Sequence, residues 1–148
     1  MKARILIADD HEIVREWIRT LLTRARPQWE ICGEATNGQL AIEAVKNLKP
    51  DIVILDVTMP VMSGLEAAPR IVALGLGSRV LIFTMHQSET FVSEVRNTGA
   101  QGYVVKSQAS RDLILAIDSL LAGGTFFSPR DIPGGTPPRP SGGFQASM

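Results

Sequence analysis

The chain of 148 residues predicts a doubly wound α/β fold, a parallel five-stranded sheet with helices on both faces, and three observations carry the prediction. Short continuous apolar runs recur, the plainest being Ile52-Val53-Ile54-Leu55 and Val80-Leu81-Ile82-Phe83. Runs of this length bounded by turn signals read as strands buried on both faces. Between them lie segments whose apolar residues return every three or four positions, the period of an amphipathic helix. The two kinds of segment alternate five times, and helical crossovers between successive strands make those strands parallel and the connections right-handed.

Each element has its own signal. Residues 3–9 form an apolar run ending on an acid. A helix over 11–26 follows, with Ile13, Val14, Trp17, Ile18, Leu21 and Leu22 as its apolar face, acids suited to its N-terminus, and Pro27 ending it. Residues 29–35 read as a weaker strand of mixed polarity near the sheet edge. Asn37 caps a helix over 38–48 that turns Leu40, Ala41, Ala44, Val45 and Leu48 inward. The central strand, 51–56, ends on Asp56. The third helix, 65–74, contains Pro69, which removes a backbone donor and is expected to bend or shorten it. The 80–83 strand ends on Thr84, and Ser88 caps a helix over 89–98 that Gly99 terminates. Tyr103-Val104-Val105 is a short strand ending on Lys106. The last helix, 109–122, carries the stripe Leu113, Ile114, Ile117, Leu120 and Leu121.

Composition sets limits. Fifteen basic and fifteen acidic side chains cancel, so nothing argues for a general affinity for nucleic acid or anionic membrane. The single cysteine, Cys32, makes no internal disulfide and is expected as a buried, inert thiol in a strand. No signal-type apolar stretch opens the chain and no run approaches a membrane span, so a cytoplasmic protein without membrane contact is expected. From residue 123 to 148 there are six glycines and five prolines, a composition that reads as linker or disordered tail. The expected division is therefore a domain over 1–122 and a tail over 123–148.

The polar ends of the strands are the chemical signal. A parallel sheet brings Asp9 with Asp10, Asp56, Thr84 and Lys106 to one edge, where open α/β sheets bind ligands. Singly each has an ordinary explanation: the acids cap helix and turn, Thr84 suits a strand, Lys106 is a solvated charge. Together, three carboxylates repel one another and call for a hard divalent cation such as magnesium. A hydroxyl and an ammonium opposite them suit a phosphoryl group, with a carboxylate as its nucleophile.

At this point a resemblance enters. Asp9-Asp10, Asp56 followed by Met59-Pro60 and Gly64, Thr84, and Tyr103-Val104-Val105-Lys106 resemble the CheY-like receiver domain of bacterial two-component response regulators, over residues 1 to about 122. Asp10-His11, Thr84-Met85-His86, Gly99-Ala100-Gln101-Gly102-Tyr103 and Lys106-Ser107 are similar to the LuxR-type (NarL-like) subfamily. Gly123-Gly124-Thr125-Phe126-Phe127-Ser128-Pro129 is similar to the segment leading into that subfamily's DNA-binding domain.

The resemblance implies a flavodoxin-like sheet of order 2-1-3-4-5 and a role for each residue. Asp56 accepts a phosphoryl group from a sensor histidine kinase or phosphotransfer protein. Asp10, Asp56 and the Thr58 backbone carbonyl bind magnesium, and Asp9 acts on it through water. Lys106 pairs with Asp56 and then with the phosphoryl oxygens, while Thr84 and Tyr103 move with the new charge and switch the face of the fourth helix, fifth strand and fifth helix. Thr58 and His86 flank the phosphoryl group and tune its hydrolysis. Kinase docking falls around residues 11–19 and 107–110, and a homodimer is within the family's range. Such a protein is no enzyme beyond its own phosphorylation and dephosphorylation. No helix-turn-helix pattern follows, so direct DNA contact is not expected of this chain, which reads as the N-terminal part of a LuxR-type transcription regulator or as a receiver-only protein. His11 and His86 lack a second histidine or cysteine nearby, so a transition-metal site is not the reading adopted. Two competitors stand beside this reading. A phosphorylation-independent interaction module of the same fold fits poorly with five site residues present. A haloacid-dehalogenase-type phosphatase wants an acid where Thr58 stands.

Overall fold

The computed structural model describes residues 2–127. In chain order the elements are β1 (Arg4–Ala8), α1 (Glu12–Ala25), β2 (Glu30–Ala35), α2 (Gly38–Leu48), β3 (Ile52–Asp56), α3 (Gly64–Ala73), β4 (Arg79–Thr84), α4 (Glu89–Asn97), β5 (Gly102–Val105), a 3-10 turn (Lys106–Gln108) and α5 (Ala109–Leu121). All strand pairs are parallel, in the order β2-β1-β3-β4-β5. The expected fold and order are both present.

Alternation along each strand divides the core in two. Leu6, Val53, Leu55, Val80 and Ile82 pack with Ala41 and Val45 of α2, Ala67 and Ile71 of α3, and Val95 of α4. Ile5, Ile7, Ile52, Ile54, Leu81 and Phe83 pack with Ile18 and Leu22 of α1 and Leu113, Ile117 and Leu120 of α5. All five residues of β3 are buried, as a central strand of a doubly wound sheet requires. Among the described residues no helix is long and apolar enough to cross a membrane.

Several local expectations need correction. The apolar residues of α1 span an arc of about 180° at 100° per residue, wider than one packing face. Only the Ile18–Leu22 end is buried, and Ile13 (79% exposed) and Trp17 (44%) face outward. In α2 the buried set is Gly38, Ala41, Ile42 and Val45; Leu40 points to solvent and Ile42 takes the inward position. Cys32 is half-buried rather than buried, as are Glu30, Ile31 and Gly33 beside it on the edge strand β2; the β1–β2 register shifts between Ile5 and Leu6 and leaves Cys32 out of the pairing. α3 is not shortened by Pro69. Ser63 caps its start: the Ser63 Oγ accepts from the Glu66 amide while the Glu66 carboxylate accepts from the Ser63 amide.

The start of the glycine-rich tail is packed. Gly123 (φ +92°) ends α5, and Phe126 then forms a parallel bridge to Gly102 on the outer edge of β5. Phe126 (2% exposed) and Phe127 (9%) are buried. Residues 128–148, where the remainder of the expected tail falls, lie outside the described residues.

Candidate acidic site at the strand ends

Register builds the site. Ala8 is level with Leu55 and Thr84 is level with Val105. Asp9 and Asp56 therefore leave the sheet side by side, and Lys106 follows one residue past Thr84. The β3–α3 connection is held close. The Gly64 amide donates to the Val57 carbonyl (2.9 Å), and a Cβ on Gly64 would lie 2.1 Å from the Asp56 carbonyl oxygen, so only glycine fits. Val61 adopts a left-handed φ of +68°, an uncommon conformation for a β-branched residue, in the loop beside Asp56.

Lys106 lies between the two buried carboxylates. Its Nζ is 3.1 Å from Asp56 Oδ1 and 3.3 Å from Asp9 Oδ2. Asp9 is fully buried and Asp56 is 3% exposed. Asp9 Oδ1 accepts from the His11 amide at 2.8 Å, and the His11 ring Nδ1 lies 3.1 Å from Asp9 Oδ1 and 3.2 Å from Asp10 Oδ1. Arg15 donates to the Asp9 backbone carbonyl. Asp56 Oδ2 is buried without a hydrogen-bond partner.

Electrostatics follow from this crowding. Burial, and then the neighbouring Asp9 charge, push the Asp56 carboxyl above its ordinary value, against the pull of Lys106 and of the Thr58 amide. For Lys106 burial is the largest influence and favours the neutral amine. The Asp56 and Asp9 carboxylates together outweigh it, so the ammonium is held above its ordinary value. One cation thus faces two buried anions, with Asp10 at the surface beside them.

Ligand atoms of Asp9, Asp10, His11 and Asp56 lie within 4.8 Å of one another. This donor set, with Asp56 carrying one unpartnered oxygen, suits a small hard divalent cation. Thr84 is buried, its Oγ1 accepting from the His86 amide at 3.0 Å, and so engaged with its own turn. Thr58, Met85 and His86 join Asp56, Thr84 and Lys106 around an open cleft of about 400 Å³.

Tyr103 stands apart from this cleft. It is half-buried, its ring 6.5 Å from that of Phe91 and 6.4 Å from that of Phe127, and Phe91 lies 5.2 Å from the His86 ring. Sequence reading missed the Asp9–Lys106 pair, the Arg15 bond, the close approach at Gly64 and the packing of Phe126 and Phe127. Only the Gly-Gly-Thr-Phe-Phe pattern pointed toward the last of these.

The family of response regulator receiver domains matches residues 5–118. The nitrate/nitrite response regulator protein NarL of Escherichia coli is 36% identical over 121 residues, 82% of this chain and 56% of its own length. The chemotaxis protein CheY of Thermotoga maritima is 37% identical over 106 residues, 72% of this chain and 87% of its own. A two-component response regulator of the LuxR family from Aurantimonas has a similar structure, with a TM-score of 0.82 and 39% identity over 90% of this chain and 97% of that one. The chain spans about half the length of the longer curated relatives it matches. With fold, strand-end residues and these similarities in agreement, the chain belongs to the response regulator receiver family, of LuxR/NarL type, whose function is phosphorylation-dependent signalling.

Proposed function

We propose that Asp56 is the phosphoacceptor of this receiver, taking a phosphoryl group from the phosphohistidine of a sensor histidine kinase or phosphotransfer protein. The observation that carries this is Asp56 itself: a buried carboxylate in the wall of an open cleft, one oxygen held by Lys106 and the other without a partner. Oδ2 attacks phosphorus in line with the departing imidazole; the new P–O bond forms as the P–N bond breaks. Lys106 orients Asp56 beforehand and meets the phosphoryl oxygens afterwards. The Thr84 hydroxyl leaves the His86 amide to donate to the phosphoryl group, and Tyr103 moves with it. This biases the α4–β5–α5 face between two arrangements.

Asp10, Asp56 and the Thr58 carbonyl would hold magnesium, with Asp9 acting through water; when bound, the ion neutralises charge on the phosphoryl oxygens. Thr58 and His86, both lining the cleft, tune hydrolysis of the aspartyl phosphate. The partner docks over the exposed Ile13 and Trp17 of α1, which with Val14, Phe83 and Lys106 line an apolar groove running up to the site. The similarity to longer LuxR-type regulators supports an output in transcription, with any DNA contact made outside this receiver.

The test is intact mass after incubation with magnesium and acetyl phosphate. One phosphoryl group is expected on the wild-type protein, and none on Asp56→Asn or with chelator. A folded wild-type protein that gains no mass from acetyl phosphate or from a kinase donor would refute the reading and favour a phosphorylation-independent interaction module.

A further inference from the structure

We propose that Phe127 is a positioning residue of the switch: the segment 123–127, docked on the outer edge of β5, holds Tyr103 in its unphosphorylated arrangement and releases it when Asp56 is phosphorylated. The proposal rests on the roles given above to Asp56 and Tyr103. It adds residues beyond the family match, which ends at residue 118.

Backbone bonds fix the segment first. The Tyr103 amide donates to the Phe126 carbonyl (2.9 Å) and the Phe126 amide donates to the Gln101 carbonyl (3.0 Å), so the segment closes the edge of β5 as a minimal sixth strand. Gly102 permits this approach, because a Cβ there would lie 2.7 Å from the Phe126 carbonyl oxygen. Phe126 anchors the segment in the core shared by Leu81, Leu113, Ile117 and Leu120.

Phe127 then reaches the switch. Its ring lies against that of Tyr103 on one side, and the Arg96 guanidinium of α4 sits 3.9 Å from its centroid. Tyr103 is in turn against Phe91, Phe91 against His86, and the His86 amide is on the Thr84 hydroxyl. Contacts therefore run without a gap from the phosphoryl-binding threonine to Phe127. Tyr103 sits between two aromatic neighbours, so its ring cannot change rotamer without giving up at least part of one contact. The residue whose ring would lose Phe127 is also the one whose amide holds Phe126. Coupling of this kind is reciprocal: if phosphorylation weakens docking, removing the docked ring must favour phosphorylation.

Tyr103 is the only tyrosine in the chain, so protein labelled with 3-fluorotyrosine gives one fluorine resonance that reports this ring alone. The full chain is compared as wild type, Phe127→Ala, Gly102→Ala and Arg96→Gln, each with magnesium, with and without acetyl phosphate, and with intact mass recording the modification. In wild type, phosphorylation is expected to move the resonance and to speed hydrogen exchange at the 103 and 126 amides by about fivefold or more. Unphosphorylated Phe127→Ala should already lie part-way to the phosphorylated shift, and should reach a higher phosphorylated fraction at limiting acetyl phosphate. Gly102→Ala and Arg96→Gln should move the same way, and they decide the matter if Phe127→Ala fails to fold. Protein that gains the phosphoryl mass while the 126 amide keeps its protection overturns the proposal alone. So do variants whose resonance and phosphorylated fraction match wild type. Absence of any mass gain overturns the Asp56 reading and the proposal with it.

Discussion

Replacing Asp56 with asparagine should stabilise the protein at neutral pH, and the geometry gives the size of the effect. The substitution removes an attraction to Lys106 at 3.1 Å, about 5 kcal/mol at an effective dielectric near 20. It also removes repulsion from Asp9. With ligand atoms no more than 4.8 Å apart, that repulsion is at least about 3 kcal/mol on the same scale. The lost repulsion offsets more than half of the lost attraction, leaving at most about 2 kcal/mol against the substitution. Lys106 keeps Asp9 as its ion-pair partner, and the asparagine oxygen still accepts its hydrogen bond. What remains is the cost of burying a charged carboxylate with one unpartnered oxygen, several kcal/mol for a buried ion. The net expectation is a gain of about 2 kcal/mol, or about 7 °C in Tm for a domain of this size.

The pH dependence follows with a definite sign. Burial and Asp9 hold the Asp56 carboxyl above its ordinary value near 3.8, so in the window above that value the native state binds the extra proton and the wild type loses stability as pH rises. The variant lacks this loss, so its advantage grows from near zero at acid pH to its full size at neutrality. Magnesium should narrow the gap, stabilising the wild type by about 1.4 kcal/mol at ten times its dissociation constant and the variant by much less. Thermal melts from pH 3 to 8, in chelator and in magnesium, measure all of this. A variant less stable than wild type at neutral pH in chelator would show that the Lys106 attraction dominates and would refute the argument.

Three further outcomes can be checked. Gly64→Ala places a methyl group on the Asp56 carbonyl, so the urea midpoint should fall by an amount corresponding to at least about 2–3 kcal/mol and acetyl phosphate labelling should slow. Lys106→Met leaves two buried carboxylates without a cation; a loss of about 3–5 kcal/mol is expected in chelator, partly restored by magnesium, in the same urea titration. Trp17→Ala should cost about 1 kcal/mol or less, because the residue is 44% exposed, and should leave acetyl phosphate labelling intact while slowing transfer from a phosphorylated kinase domain, followed by radiolabel.

Much of the fold was legible because its signals are local. Ile52-Val53-Ile54-Leu55 reads as a buried strand whatever surrounds it, and Asn37 and Ser88 accept from the Leu40 and Phe91 amides as capping logic demands. The helix faces were less legible. An apolar arc such as that of α1 gives the period but not which part meets the sheet, and tertiary packing chose Ile18 and Leu22 over Ile13 and Trp17. The first residues of the tail, 123–127, were less legible because composition averages over residues: glycine and proline outweighed two phenylalanines that find partners on β5.

The sequence by itself determined the architecture and the chemical inventory of the site. Hydrophobic period is written residue by residue, and a parallel sheet must bring its strand ends to one edge, so Asp9, Asp56, Thr84 and Lys106 had to gather. Only the tertiary structure decided how they share charge. That Lys106 bridges Asp9 as well as Asp56, that one Asp56 oxygen is left unpartnered, and that Tyr103 is held between Phe91 and Phe127 are all matters of register and sub-ångström approach between segments far apart in the chain. Interaction energies between charges and rings change steeply over such distances, and no local pattern encodes them.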